Sequence, residues 1–350
     1  MKIKRAVLEN ALSKVKPGLE KGKEYIEQMK HVLFDGEDIA TYNDHIAILV
    51  PFETDFKTSV KFEDLYKAIT VTFQNAVNVD FSFDEKKKQM LMTSDKTKVG
   101  LNTTEIDEIG TKLRDLKKQL PTEPSDWVQL PEDFNEALGL CVFAASNNMM
   151  DGPLTCVHIK GDNVLASDNI RVSWYKFAKE IEGADFLINA NDIRELADFP
   201  VIDLFIAESW CHFITEDDII FSAKKVEYEK VIPLERAFTK LKGTTLTFPE
   251  VLKDKLDSML FMVDGDSQLE KFIDIDLSKD GIICKTTSDR GWIEQEVDID
   301  YKGKDESLCI NPIFLSQVLS KSTTAIISKD RTMLESGNFK HMLMHKKVSE

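Results

Sequence analysis

Hydrophobic and polar residues run along the chain in three rounds of one pattern. Each round opens with apolar residues at i, i+4 and i+7, the spacing of one buried helix face. They are Leu8, Leu12 and Val15; Phe134, Leu138 and Cys141; and Leu252, Leu256 and Met259. The spacing predicts helices over 7–15, 131–145 and 249–263, with Pro131 and Pro249 where a first turn tolerates a missing N–H. Apolar–polar alternation follows in 31–50, 156–177 and 272–297. Asp-Gly, Gly-Asp-Asn and Lys-Asp-Gly interrupt it, so these stretches predict hairpins of strands with one buried face. A second helix is predicted at 62–73, 190–199 and 311–322, and a further hairpin closes each round.

The rounds are about 120 residues apart. Leu8 to Phe134 is 126 positions and Phe134 to Leu252 is 118; Leu65 to Ile193 is 128 and Ile193 to Phe314 is 121. Differences of a few residues are what loops absorb. The reading is α+β: three tandem similar domains at 1–120, 121–242 and 243–350, each with two helices packed on antiparallel sheets. The linkers are expected at 121–127 (PTEPSDW) and 234–243 (LERAFTKLKG). Three such units form an arc whose terminal edge strands are templates for a second copy, which would close a ring.

Charge refines this picture. The 350 residues carry 45 Lys and Arg against 61 Asp and Glu, a net −16, which repels phosphate globally and leaves room only for a local basic lining. Residues 1–120 hold 20 basic and 20 acidic side chains, 121–242 hold 11 and 22, and 243–350 hold 14 and 19. The first thirty residues contain eight Lys or Arg against four Glu, so an anionic partner meets that surface first. No apolar run approaches the roughly 20 residues of a membrane span. Five cysteines without a CxxC spacing, and a start without a long apolar leader, suit a reducing cytoplasm.

Catalytic patterns find no anchor. The six histidines, at 31, 45, 158, 212, 341 and 345, form no HExxH and no zinc-finger spacing with cysteine. GxGxxG, GxxxxGK[ST] and GxSxG are all missing, so neither a metal nor a cofactor is expected and no enzyme is predicted. The acidic runs TEDD (215–218) and DIDYKGKDE (298–306) read as solvated carboxylates, and a carboxylate-dependent hydrolase gains no positive support.

The middle round, from LPEDFNEALGLCVFAASNN through GPLTCVHIKGDNVLASDNIRVSWYKF to FSAKKVEYEKVIP, resembles the central domain of the bacterial DNA polymerase sliding clamp, the polymerase III beta subunit. The last round, with YKGKDESLCINPIFLSQVLS and FKHMLMHKKV, is similar to that family's final domain and end strand. In 1–120 the resemblance is weaker, with TYNDHIAI standing where ASDNIRV matches better. The resemblance implies a head-to-tail homodimer of six similar domains, helices lining a hole, and duplex DNA threaded through it without sequence preference. It also implies that DNA polymerase and clamp loader are engaged by short peptide motifs, with no catalysis and no membrane. A clamp-fold scaffold or decoy that binds replication proteins without encircling DNA is the alternative. Ile170, Asn169 and His345 depart from the bacterial pattern, which would suit a phage-type clamp working in a host cytoplasm.

Residues follow from that resemblance. A sliding ring needs mobile, sequence-blind cations toward phosphate, expected at Arg5, Lys14, Lys16, Lys67, Arg194, Lys253, Lys255 and Lys321, with Lys21 and Lys23 in a loop. Helix 131–145 carries Glu132, Asp133 and Glu136 and no cation, so the middle domain contributes little attraction. The peptide cleft would be walled by Leu154, Ser167, Asn169, Ile170, Arg171, Val172 and Pro233, with Met342 and Met344 from the end strand. The joint between subunits would centre on Val99 and Leu101 of TKVGLNT (97–103) and on Leu260 and Phe261 of MLFMV (259–263).

Overall fold

The apolar stripes become buried helix faces. Helix Arg5–Val15 buries Leu8, Ala11, Leu12 and Val15 and has no side-chain cap. At about 1.5–3 kcal/mol per buried leucine or valine, that stripe is what holds it. Helix Pro312–Leu319 is additionally fixed at its start. Asn311 Oδ1 accepts from the Ile313 and Phe314 amides at 3.1 Å, and Pro312 fills the first turn. Five predicted helices are α-helical over shorter spans than expected, among them Val251–Met259, which ends in a 3-10 turn at Leu260–Met262, and Pro312–Leu319. Phe62–Lys67 passes into a π turn at Ala68–Thr72, where Ile69, Thr70, Val71 and Thr72 place four β-branched residues in a row. Phe134–Cys141 tightens to a 3-10 turn at Val142–Ala144, and Ala190–Ile193 does so at Arg194–Asp198 ahead of Pro200.

The computed structural model describes residues 1–22, 27–105, 108–239 and 241–346. They form two compact units: Met1–Asn135 with Ile181–Gly183 and Glu195–Lys225, and Glu136–Glu180 with Ala184–Arg194 and Val226–Glu350.

In the first unit, antiparallel strands pair in one continuous order. From Lys2–Lys4 the sheet passes to Asn78–Asp84, Gln89–Ser94, Thr97–Thr104 and Thr58–Lys61. It continues through His31–Phe34, Asp38–Tyr42 and Ile46–Pro51, then Ile220–Val226, Trp210–Thr215, Val201–Ile206 and Val128–Gln129. Strands of the first and second repeats therefore share a ladder where Ile48 faces Phe221. Helix Glu108–Lys117 has no counterpart in the repeat pattern. Its Ile109, Leu113 and Leu116 cover Leu33, Ala40, Tyr42, Ala47, Leu49 and Trp210, giving the sheet a second buried face.

In the second unit the order is Asp185–Asn189, Cys156–Lys160, Asn163–Ser167, Arg171–Lys176, Phe339–Met344, Arg331–Ser336, Thr324–Ile327 and Thr244–Thr247. A separate four-stranded sheet runs Gly291–Val297, Gly281–Ser288, Ile273–Ser278, Glu306–Ile310. Helix Val251–Met259 packs on helix Pro312–Leu319. The hairpin tips follow their chemistry: Gly36 has φ 100° in the Asp-Gly turn and Gly161 φ 54° in the Gly-Asp-Asn turn.

Candidate functional site

A tight turn between Asn163–Ser167 and Arg171–Lys176 organises the predicted cleft. Asp168 Oδ1 accepts from the Ile170 and Arg171 amides at 3.2 and 3.1 Å, and Asn169 takes φ 73°, the left-handed region that Asn tolerates. The weaker motif of the first repeat folds identically. Asn43 Oδ1 accepts from the His45 and Ile46 amides at 3.1 and 2.8 Å, and Asp44 has φ 67°. An Asx turn followed by a left-handed residue is what TYNDHIAI and ASDNIRV share, although few of their residues coincide.

Arg171 is the hub of this turn. Its Nε donates to Asp168 Oδ2 at 2.8 Å and its Nη1 to Gln317 Oε1 at 2.5 Å. The guanidinium carbon lies 3.7 Å from the centre of the Phe314 ring and 5.4 Å from that of Phe143. Arg171 is 5% exposed; it locks the turn onto helix Pro312–Leu319 and does not project into solvent. Ser167 Oγ donates to the Arg171 carbonyl at 2.7 Å.

The remaining cleft residues gather around this hub. Val172 faces Met342 across the ladder and the Met344 amide donates to the Ile170 carbonyl at 2.8 Å. Met342 is fully buried in a strand paired on both sides, whereas Met344 is 37% exposed and Val172 and Ile170 are half-buried. Leu154 is buried at the end of the turn Met149–Thr155, which packs on strands Cys156–Lys160 and Asn163–Ser167. Pro233 is exposed and caps the 3-10 turn Leu234–Phe238, whose Phe238 ring sits 5.2 Å from that of Trp174. The nine residues thus occupy neighbouring elements of one unit, with Asn169, Ile170, Val172, Pro233 and Met344 offering surface and Leu154, Ser167, Arg171 and Met342 forming its support. Beneath them, His341 stacks on Phe143 at 5.2 Å and shares a 2.7 Å hydrogen bond from Nδ1 to Ser173 Oγ. Burial, helped by the Arg171 charge, holds its imidazole well below the usual range, so it is neutral.

Sequence reasoning missed the apolar surface next to the cleft. Met149 and Met150 are 92% and 90% exposed, and Tyr228, Val231 and Ile232 are also open. The available signal was the Met-Met doublet, which belongs to no periodic segment and stands directly before the turn formers Asp151, Gly152 and Pro153.

The expected cations divide into two groups. Arg5 pairs with Glu9 at 2.5 Å, Lys14 with Asp217 at 3.7 Å, Lys21 with Glu195 at 3.1 Å, Lys67 with Glu63 at 2.5 Å and Lys253 with Asp257 at 2.6 Å. Exposed pairs of this kind contribute about 0–1 kcal/mol, so a phosphate can displace the carboxylate. Their net local charge is nevertheless close to zero. Lys16 leans over the Tyr66 ring at 5.9 Å, and Arg194, Lys255 and Lys321 have no carboxylate partner among the described residues. Lys253 and Lys321 line one depression of 420 Å³ with Glu250 and Glu335. Lys23 lies outside the described residues.

The proposed joint residues lie on two exposed features. Strand Thr97–Thr104 pairs with Gln89–Ser94 along one side, while on the other, among the described residues, only Thr103 and Thr104 are paired, with Val60 and Ser59. Val99 and Leu101 are half-buried there. Leu260 is half-buried and Phe261 is 63% exposed just past helix Val251–Met259, so Phe261 is a surface residue and not core. Trp292, which the sequence reading did not single out, is 74% exposed on the edge strand Gly291–Val297.

Candidate chemistry elsewhere is muted. Among the described residues no three His, Cys, Asp or Glu side chains form a metal-holding group. Burial pushes the thiols of Cys284 and Cys309 up to about 12 and about 11, and those of Cys141, Cys156 and Cys211 upward as well, so all five are poor nucleophiles at neutral pH.

No model of a protein family matches the chain, and no curated protein matches its sequence. Solved structures do match. The DNA polymerase III beta chain of Streptococcus pneumoniae is similar over 99% of both chains, with a TM-score of 0.81 at 18% identity. The beta subunit of Borrelia burgdorferi gives 0.82 at 15% identity, and the DNA polymerase sliding clamp of Pseudomonas aeruginosa 0.79 at 14%, each again over 99% of both chains. The chain therefore has the α+β fold of the bacterial sliding clamps.

Proposed function

We propose that the chain is a DNA sliding clamp: a non-enzymatic processivity factor whose three tandem domains, 1–120, 121–242 and 243–350, pair head to tail with a second copy to encircle duplex DNA. The observation that carries this reading is the match to beta-subunit clamps over 99% of both chains. The free edge of Thr97–Thr104 with Val99 and Leu101, and the exposed Phe261 with Leu260, supply joint surfaces of the right kind, since unpaired edges favour closure with a partner.

DNA would be held by topology more than by affinity. With Arg5, Lys14, Lys21, Lys67 and Lys253 paired to carboxylates, the attraction falls to Lys16, Arg194, Lys255 and Lys321, helped by exchange at the paired sites. Polymerase and clamp loader would reach the ring through linear segments laid against Ile170, Val172, Pro233 and Met344. Arg171 acts from below as the residue that positions the turn. The test is product length on primed circular DNA with a polymerase and clamp loader from the organism that makes the protein. Long products that shorten when this chain is omitted support the reading, and equal lengths refute it. The neutralised cations favour a second reading, a clamp-fold scaffold that binds replication proteins without DNA, and that reading predicts no effect on product length.

A further inference from the structure

The Met149–Met150 pair is held out from the surface by a rigid frame. Ser146 Oγ donates to Asp151 Oδ2 at 2.5 Å and Asn148 Nδ2 to Asp151 Oδ1 at 3.3 Å. The Asn148 and Met150 amides donate to Ser146 Oγ and Asn148 Oδ1, and Thr155 Oγ1 donates to the Gly152 carbonyl. Five hydrogen bonds fix the path of this short turn, on which both methionine side chains stand exposed. The neighbouring segment from Glu227 to Pro233 has no regular structure and exposes Tyr228, Val231 and Ile232 at 37%, 42% and 47%. It adjoins the turn, because a Cβ at Gly152 would lie 3.8 Å from Tyr228 Cε1. Exposed apolar groups clustered this way mark an interaction surface.

The charges of these two segments are mostly acidic. Asp151, Glu227, Glu229 and Glu235 border the cluster against Lys230 and Arg236. Three cations of the same unit are engaged: Arg171 by Asp168, Arg331 by Asp330 and the Ala237 carbonyl, and Lys340 over the Trp174 ring.

We propose that this surface extends the peptide cleft and selects linear segments whose apolar or aromatic anchors are flanked by lysine or arginine. The anchors contact Met149, Met150 and Tyr228, where flexible thioethers adapt to aromatic rings, and the basic flank meets Glu227 and Glu229. The inference rests on the cleft reading above and adds the chemistry of the partner to it.

Fluorescence anisotropy tests it with two labelled nonapeptides sharing a core of two leucines and one phenylalanine, one flanked by lysines and the other by glutamates, titrated with the full chain. The lysine-flanked peptide should bind about tenfold tighter at low ionic strength and lose that advantage in high salt. Glu227→Gln/Glu229→Gln should bring the ratio down to about threefold or less. Met149→Ser/Met150→Ser should weaken both peptides without changing the melting curve, since neither side chain is buried. Equal binding of the two peptides overturns the charge selection, and unchanged binding by the methionine variant overturns the extension. Met344→Ser separates the two readings: it should weaken both peptides if the cleft is correctly placed. Binding indifferent to Met344, or no binding by either peptide, removes the cleft reading and this inference with it.

Discussion

Replacing Arg171 with methionine isolates the contribution of the buried hub. Arg171 and Asp168 are 5% and 4% exposed, so the substitution leaves a carboxylate with no cation in a site almost closed to water. Breaking such a pair from one side costs about 3–5 kcal/mol. Loss of the guanidinium stacked 3.7 Å from Phe314 adds about 1–2 kcal/mol. Methionine keeps most of the volume, so little of the loss comes from a cavity. A total near 5 kcal/mol is comparable with the whole stability of many domains. Urea unfolding followed by tryptophan fluorescence should show it as a lower midpoint, with Trp174 reporting on the affected strand. Asp168→Asn/Arg171→Met should recover about half of the loss, because asparagine can still accept the Ile170 and Arg171 amides and no lone charge remains buried. A single variant within about 1 kcal/mol of wild type, or a double variant no better than the single, would refute the claim that this pair holds the turn.

Leu101→Asp places a charge in the proposed joint and should convert a dimer of about twice 39.9 kDa into monomers by sedimentation, whereas unchanged mass would remove Leu101 from the joint. Burial lowers the pKa of His212 to about 4, and those of His31, His341 and His345 also fall below the ordinary value. These groups are neutral when folded and take up protons when unfolded, so their contribution is complete above pH ~6.5 and is lost as pH falls toward their folded pKa values, about 3 kcal/mol for His212 alone. A melting temperature that stays flat from pH 7 to about 4.5 would contradict this. Lys255→Glu/Lys321→Glu should weaken the already low affinity for linear duplex and flatten its salt dependence, as read by filter binding, with the dimer unaffected.

Much of the architecture was legible because the chain repeats itself. Helix faces such as Leu8, Leu12 and Val15 and the turn at Gly36 are local, and three copies reinforced one another. Helix Glu108–Lys117 was missed although Ile109, Leu113 and Leu116 keep the same i, i+4, i+7 spacing, because it occurs in one round only and the repeat offered no second copy to draw attention to it. The proposed cleft was assigned from the likeness of ASDNIRV and FKHMLM to a known family, but the inward direction of Arg171 depends on Gln317 and Phe314, more than a hundred residues away in sequence. Exposure of Phe261, Met149 and Met150 was similarly hidden, because side-chain type predicts burial and these side chains go against type. The pairing of Lys14 with Asp217 and Lys21 with Glu195 joins residues far apart in the chain, so a count of basic residues overstated the charge free to meet DNA.

Retention on DNA tests the central claim most directly. The chain, placed by a clamp loader on a nicked circular plasmid and separated from free protein by gel filtration, should remain with the circle through a high-salt wash and leave within minutes once a restriction enzyme cuts it. Release from the uncut circle as fast as from the linear form would contradict encirclement.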